Sequence, residues 1–271
     1  MQRACASAAG PLPANSKTPA TMKTLATLVL ATCAFGSLAP HANAGVIVHG
    51  TRVIYPAQQP EVAVRLENKG PQPALVQAWL DDGDRHSTPA TAHTPFSLAP
   101  PIFRIEPHQQ QALRLRYLGE PLAADRESLF WLNVLEVPPL AADAAQQNQM
   151  ELSFRTRLRV FLRPQALPYP VGRAPGKLRW ALVACKEGFA LQASNPTPYH
   201  ISLASIELLS DGKRFRKAAN AAADDSLLRP GDVKQFVLPS LRNRPSAATY
   251  VEFTTVSDFG ARVRHSADLT P

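Results

Sequence analysis

The stretch from Met150 to Pro164 constrains the fold most, because apolar and polar residues alternate over its first eleven positions. A period of two is typical of a β-strand with one apolar face. At about 3.3 Å per residue, such a strand spans roughly 36 Å, about twice a common strand length. It must pair along its whole length or present an exposed edge. Two interpretations are open: a long central strand of a sandwich, or a strand whose first half is kept for another chain.

The rest of the chain consists of short alternating segments separated by turn residues. The other candidate strands are residues 45–55, 61–67, 74–80, 102–105, 111–117, 126–137, 177–184, 188–193, 200–209, 234–238, 249–256 and 261–266. This pattern, with almost no helical periodicity, predicts an all-β fold of sandwiches. Residues 87–101 are predicted to be a loop, and residues 140–149 a mobile loop before the long strand. The proline-rich linker Pro164 to Gly176 divides two predicted domains, residues 45–165 and 166–271.

The N-terminal region predicts export. A basic start at Met22-Lys23, an apolar run and the small residues Ala42-Asn43-Ala44 are typical of a signal peptide over residues 22–44, cleaved near Ala44. The apolar run is too short to span a bilayer. Residues 1–21 are interpreted as an unstructured extension or a misassigned start. A lipoprotein attached through Cys33 is a competing interpretation, which the mass of the mature N-terminus would decide.

Charge and cysteine content narrow the function classes. Cys185 is the one cysteine after the predicted cleavage site, so no intramolecular disulfide is expected and the fold needs a hydrophobic core. The net charge is +8, and removal of residues 1–44, with three basic residues and no acid, leaves 26 basic against 21 acidic residues, or +5. This modest charge favours an anion at a defined site over the coating of nucleic acid. The basic stripe Arg155, Arg157 and Arg159 lacks interleaved exposed aromatics, so it is weak evidence for nucleic acid.

No motif predicts catalysis or a cofactor. The seven histidines show no metal-ligand spacing, and those after the predicted cleavage site are interpreted as loop or strand-edge residues. We find no Ser/His/Asp array, Gly-rich phosphate loop or Cys-x-x-Cys motif. A carbohydrate-binding or hydrolytic β-sandwich would need clustered exposed aromatics or paired carboxylates. The three tryptophans are interpreted as core residues, and the sequence shows neither feature.

Several motifs in order resemble the periplasmic chaperones of the chaperone–usher pilus pathway, the PapD-like family. They are Gly50-Thr51-Arg52-Val53-Ile54-Tyr55-Pro56, Gln77-Ala78-Trp79, Phe103-Arg104-Ile105-Glu106-Pro107, Arg126-Glu127-Ser128-Leu129-Phe130-Trp131-Leu132-Asn133, Pro138-Pro139, Arg159-Val160-Phe161-Leu162-Arg163-Pro164, Asn195-Pro196-Thr197-Pro198-Tyr199 and Asp258-Phe259-Gly260-Ala261. The resemblance implies two immunoglobulin-like domains arranged in an L, and a periplasmic location. It implies pilin subunits and an outer-membrane usher as partners, with no ATP, metal or other cofactor. A self-capping homodimer of the free chaperone also occurs in the family.

The resemblance assigns roles to particular residues. An incomplete subunit accepts a foreign strand by β-strand addition, and the donated face here would be Met150, Leu152 and Phe154. The alternative is that these three belong to the domain's own core. A basic pair that anchors the subunit's C-terminal carboxylate maps onto Arg52 and Arg159, where Arg159 replaces the usual Lys. Arg can bind a carboxylate bidentately. The alternative is a pair of solvated strand charges.

The resemblance also implies a structural role for a second set of residues. Glu127, Arg163 and Asp258 are expected to form an ion network between the domains, because a buried Arg needs charged partners. The alternative is that each pairs locally on the surface. A secreted adhesin or pilin-like structural protein is the competing function. It would predict self-assembly or a surface location and would not require Arg52 and Arg159 in one cleft.

Overall fold

Nearly all regular structure in the described part of the chain is β-strand. The computed structural model describes residues 45–137, 152–218, 226–245 and 249–270. The predicted extension 1–21, the predicted signal peptide, the predicted mobile loop and Met150 lie outside the described residues.

The first sandwich covers residues 45–163. Its strands are β1 (Val46–Val48), β2 (Arg52–Pro56), β3 (Val62–Asn68), β4 (Ala74–Asp81), β5 (Phe96–Ala99), β6 (Ile102–Ile105), β7 (Gln110–Tyr117), β8 (Ser128–Val137) and β9 (Phe154–Arg163). One sheet has the order β1-β3-β7-β5 and the other β2-β9-β8-β4-β6. The chain therefore changes sheets between β1 and β2. It does so at Gly50, whose φ of 101° is accessible to glycine without steric cost.

The second sandwich follows the linker, which contains two short 3-10 turns, Val171–Arg173 and Pro175–Lys177. Its strands are β10 (Arg179–Cys185), β11 (Gly188–Ser194), β12 (Ile201–Ser210), β13 (Lys213–Arg216), β14 (Leu227–Leu228), β15 (Val233–Leu238), β16 (Thr249–Val256) and β17 (Arg262–Asp268). One sheet has the order β10-β11-β15. The other has the order β13-β12-β16-β17, with β14 also paired to β12. Both sandwiches belong to one compact unit.

Each sandwich has its own hydrophobic core, formed by the alternating inward residues of its strands. Leu66, Leu113 and Leu132 are fully buried in the first core, and Trp180 and Phe253 in the second. Burying a side chain of this size contributes about 1.5–3 kcal/mol, so two separate cores support two domains without a disulfide. The prediction of an all-β chain with two immunoglobulin-like sandwiches is confirmed.

Some segments differ from the prediction. Residues 87–101 are not loop throughout, because Phe96 is buried and begins the short strand β5. Flanking prolines conceal this strand in the sequence. The long strand was predicted from Met150, but Leu152 precedes the strand, which begins at Phe154. The ladder between β8 and β9 ends at the pair Glu136 and Phe154, so pairing rather than alternation sets that boundary.

Candidate functional site

A cleft between the two sandwiches contains most of the predicted site. β2 and β9 form one wall, and β12 with the turn after β16 forms the other. The cleft encloses a cavity of about 240 Å³ whose lining includes Arg52, Arg163, Ser202 and Asp258. The lining also includes the Glu127 carboxylate and the apolar side chains of Phe161 and Val256.

The structure brings Arg52 and Arg159 together, and we call them the arginine pair. They lie opposite each other in the parallel ladder of β2 and β9. Each Nη1 lies 3.4 Å from the hydroxyl of Ser202, on the second sandwich, and Arg52 also donates to the Val256 carbonyl at 2.9 Å. Burial lowers the pKa of Arg52, the positive charge of Arg159 lowers it further, and Asp258 partly opposes both. Two concentrated positive charges in a half-buried cleft form a suitable site for a carboxylate.

Arg163 lies between Glu127 and Asp258, and we call these three residues the carboxylate network. Arg163 Nε donates to Glu127 at 2.6 Å, and its two terminal nitrogens donate to Asp258 at 2.7 and 3.0 Å. Burial alone would lower the pKa of Arg163, but the hydrogen bonds and charges of Asp258 and Glu127 raise it. Because Asp258 belongs to the second sandwich, the contacts cross the cleft. That they fix the interdomain angle stays a prediction.

Sequence reasoning missed the contribution of His200 to this network. Its backbone nitrogen donates to the second oxygen of Glu127 at 2.8 Å, and its ring lies 5.4 Å from that of Phe161. His200 directly precedes β12, in agreement with the interpretation of a loop or strand-edge histidine, but its side chain is only 5% exposed. The Asn195-Pro-Thr-Pro turn places His200 there, because Glu127 donates its backbone N–H to the Pro198 carbonyl at 2.9 Å.

The predicted donated face is exposed. Leu152 and Phe154 are 58% and 61% exposed, whereas Leu158, four residues further along β9 than Phe154, is buried. Residues 154–158, which we call the open half of β9, pair with β8 on one side. On the other side, β2 begins to pair only at Arg159, and no other described strand occupies that edge. Met150 lies outside the described residues.

All three tryptophans are buried, as the core interpretation predicts, but two of them lie on the outer face of the same sheet. Trp180 lies in the second core, but Trp79 and Trp131 are buried outside the first core, beneath arginines of β9. Arg155 lies over Trp79 at 4.7 Å, and Arg157 lies over Trp131 at 4.2 Å. The basic stripe is therefore packed against the sheet, which buries aromatic surface beneath long charged side chains.

A buried carboxylate completes this outer face. Asp81 is 1% exposed and accepts hydrogen bonds from Arg157, from Asn133 at 2.7 Å and from the backbone of Gly83 at 2.7 Å. Burial opposes its ionisation, but these hydrogen bonds outweigh burial and lower the pKa of Asp81.

Among residues 45–137, 152–218, 226–245 and 249–270, no group of His, Cys, Asp or Glu side chains could hold a metal ion. No helix within those ranges is long and apolar enough to cross a membrane.

Comparison with known families gives a consistent result for both sandwiches. Residues 45–168 match the family model of a pili and flagellar-assembly chaperone, PapD N-terminal domain. Residues 173–267 match that of the pili assembly chaperone PapD, C-terminal domain.

Individual relatives span most of the chain. The probable fimbrial chaperone YadV of Escherichia coli K12 is 38% identical over 229 residues, covering 83% of this chain and 90% of the relative. The chaperone protein FimB/FhaD of Bordetella pertussis is 36% identical over 249 residues, covering 90% and 96%. The crystal structure of YadV superposes with a TM-score of 0.69 at 36% identity, covering 83% of this chain and all of that one. The SafB chaperone of Salmonella enterica, solved in complex with the SafA pilin, gives a TM-score of 0.66 at 28% identity, covering 83% and 96%.

Proposed function

The chain belongs to the PapD-like family of pilus-assembly chaperones, and from that premise we propose that it lends the start of β9 to a fimbrial subunit and delivers that subunit to an outer-membrane usher. It is a fimbrial chaperone of the chaperone–usher pathway, a family of periplasmic proteins that are not enzymes. The proposal concerns how it binds: by donor-strand complementation, with the arginine pair as the anchor.

The observation that carries the proposal is the open half of β9. A strand edge with one free side can form a ladder with a guest, and its exposed side chains can fill the guest's groove. Leu152 and Phe154 are the exposed apolar residues that precede and begin this edge. The predicted Met150 would extend the same face by one position.

The arginine pair lies where the open edge ends. β2 first pairs with β9 at the position of Arg52 and Arg159, so a guest strand on that edge would finish beside both guanidinium groups. A terminal carboxylate there would accept charge-assisted hydrogen bonds and would relieve the repulsion that lowers the pKa of Arg52. The Ser202 hydroxyl, within 3.4 Å of both arginines, would orient them.

The anchor can be tested with one synthetic peptide in two forms. A peptide with the last residues of a fimbrial subunit from the same organism is prepared with a free C-terminal carboxylate and as the C-terminal amide. We expect wild-type protein to prefer the free acid. Arg52→Ala should lose about 10–100-fold of its affinity for the acid, since a hydrogen bond to a charged group contributes about 1.5–3 kcal/mol, and should no longer distinguish acid from amide.

Arg114→Ala is the matched control, because Arg114 is an exposed arginine on β7 of the same sandwich. A wild-type protein that binds acid and amide equally would contradict the anchor.

The donated strand is tested by periplasmic co-expression with the whole subunit. Leu152→Glu and Phe154→Glu should lose capture of the subunit and keep the wild-type melting temperature, because both side chains are exposed in the free protein. Val233→Glu, at a 59% exposed valine of the second sandwich, is the control. Capture by both β9 variants would contradict strand donation. A loss of their folded circular-dichroism signal would instead assign these residues to the domain's own core.

Usher delivery and self-capping are separate parts of the proposal. The complex of chaperone and subunit, but not the free chaperone, is expected to bind the usher. The exposed edge of β9 would also permit a homodimer of the free protein, which size-exclusion chromatography with and without a subunit would detect.

A further inference from the structure

Glu136 occupies an unusual position at the end of β8. The inward-facing residues before it on this strand are Phe130, Leu132 and Val134, all buried in the first core. The next inward position is Glu136, which is half-buried. A carboxylate at the rim of an apolar core needs compensating partners. The backbone N–H of Val46 donates to one of its oxygens at 2.9 Å.

The first described residue, Gly45, lies directly against this carboxylate. A Cβ atom on Gly45 would lie 1.9 Å from Glu136 Oε1 and 2.6 Å from its Cδ, so any side chain there would displace the Glu136 side chain. By standard bond lengths, the Gly45 nitrogen is about 2.5 Å from that Cβ position, which places it at most about 4.4 Å from Oε1. The Gly45 carbonyl accepts from the Lys69 backbone at 3.1 Å, which holds this backbone in place.

A cation for Glu136 is missing from the described side chains. Within the first sandwich, the described ion pairs engage the carboxylates of Glu67, Asp81, Glu106, Asp125 and Glu127. None of these described pairs engages Glu136. The Gly45 nitrogen, at most about 4.4 Å from Glu136 Oε1, can carry a positive charge once its peptide bond to Ala44 has been cut.

We propose that signal-peptide cleavage completes this site: hydrolysis of the bond between Ala44 and Gly45 creates an α-ammonium that pairs with Glu136. Water adds its hydroxyl to the Ala44 carbonyl carbon, the C–N bond breaks, and the Gly45 nitrogen leaves as an amine that takes up a proton. The ordinary pKa of an α-amino group is about 7.7–8.0, so the group is mainly charged at neutral pH. The inference rests on the predicted cleavage site and not on the proposed strand donation.

The consequence concerns when the first sandwich is complete. Glu136 lies opposite Phe154 in the last pair of the ladder between β8 and β9, so the ion pair closes the end of the sandwich from which the open half of β9 starts. In the uncleaved chain the Gly45 nitrogen is a neutral amide and the charge is absent. The sandwich therefore gains its full stability only after cleavage.

The experiment uses protein purified from the periplasm in two forms. The first has the natural leader. The second carries two extra residues between Ala44 and Gly45, so that cleavage after Ala44 leaves Gly45 with an amide nitrogen. Mass spectrometry establishes both N-termini, and thermal melting is then compared for wild type, Glu136→Gln and Gly45→Ala. Glu61→Gln, at an exposed glutamate of the same sandwich, is the matched control.

The natural form is expected to begin at Gly45 and to melt about 2–4 °C above the extended form, the shift that a modest ion pair gives in a chain of this size. Glu136→Gln should remove that difference, because it should lower the melting temperature of the natural form and leave that of the extended form unchanged. Gly45→Ala should lower the melting temperature of the natural form as Glu136→Gln does, because the new Cβ displaces the carboxylate. The double variant should melt at the same temperature as either single variant. Glu61→Gln should change neither form. A different mature N-terminus, or an equal effect of Glu136→Gln in both forms, would overturn the proposal.

Discussion

Arg52 and Arg163 lie in the same cleft, on neighbouring strands, and differ in what surrounds them. Arg163 has a carboxylate on each side, Glu127 and Asp258, and these partners raise its pKa. Arg52 donates to a carbonyl and a hydroxyl, and burial together with the charge of Arg159 lowers its pKa. The chain itself thus neutralises one arginine, while the other keeps its attraction for an external anion. The difference predicts a structural role for Arg163 and agrees with the proposed binding role of Arg52.

The largest effect is expected from removing the neutralised arginine. Arg163→Ala leaves the 1% exposed carboxylate of Glu127 without its cation, and breaking a buried ion pair typically costs about 3–5 kcal/mol. The melting temperature should fall by about 6–20 °C, at about 2–4 °C per kcal/mol for a chain of this size. Small-angle scattering should report a wider spread of interdomain angles.

The control for that variant is Arg216→Ala, which removes an exposed arginine paired with Glu207. Exposed pairs contribute about 0–1 kcal/mol, so its melting should barely change. An unchanged scattering envelope and unchanged melting in Arg163→Ala would contradict a structural role for the network.

The next effect is expected when a carboxylate of the chain itself is placed beside the arginine pair, as Glu127 and Asp258 lie beside Arg163. Ser202→Asp places a carboxylate between Arg52 and Arg159, at a position already within 3.4 Å of both. The arginine pair should then be neutralised internally, so melting should be unchanged or higher while affinity for a free-acid peptide falls about 10–100-fold. Ser202→Asn, similar in size and uncharged, should retain most binding. If the Ser202→Asp variant still prefers the free-acid peptide, internal neutralisation does not distinguish Arg163 from the arginine pair.

Arg157, like Arg163, pairs with a carboxylate of the chain itself, that of Asp81, and this pair is expected to make stability depend on pH. The pKa of Asp81 is lowered from an ordinary value of 3.8, so its stabilisation is fully present above that value and is lost as the pH falls through the lower, folded pKa. Asp81→Asn should therefore reduce the free energy of unfolding by about 1–3 kcal/mol at pH 7 and by progressively less below pH 4. Denaturant unfolding across this range measures it, with the exposed neighbour Asp82→Asn as the control. A pH-independent loss would show that packing, not charge, explains the effect.

The smallest effect is expected from replacing Arg159 by lysine, the residue that the family resemblance implies at this position. Arg159 lies over the Trp131 ring at 5.3 Å, beside Arg157, and a cation at such a site contributes about 0.5–1 kcal/mol. Arg159→Lys should keep the charge and lower affinity for the free-acid peptide about two- to fivefold. In a Trp131→Leu background the same exchange should change affinity less. An equal loss of affinity in both backgrounds would show that Trp131 does not position Arg159.

Strand alternation predicted most of the fold because each sandwich buries one face of each strand. Residues 61–67 and 111–117 needed only their own periodicity to be placed as strands. β5 escaped because it has four residues between prolines, and the start of β9 was misplaced because pairing with β8 determines it. Periodicity describes the faces of a strand and contains no information about where its partner ends.

The site was less accessible to sequence reasoning for a related reason. Arg52 and Arg159 are far apart in the chain, and only the parallel register of β2 and β9 places them side by side. Family resemblance supplied that expectation, and alternation could not. The packing of arginines over Trp79 and Trp131, and the contact of His200 with Glu127, depend on which strands and turns adjoin.

Because the chain changes sheets at Gly50, the start of β2 sets the point at which a guest strand on β9 would have to end. Because the chain joins β9 only from Arg52 onward, the open edge ends at residue 158, and its part within β9, residues 154–158, is about 17 Å long. A guest strand running towards the arginine pair would meet the start of β2 end to end and could go no further. Length, and not only chemistry, would then discriminate between guests: a tail one residue too long would have no edge left to occupy, and one too short would not reach the cations.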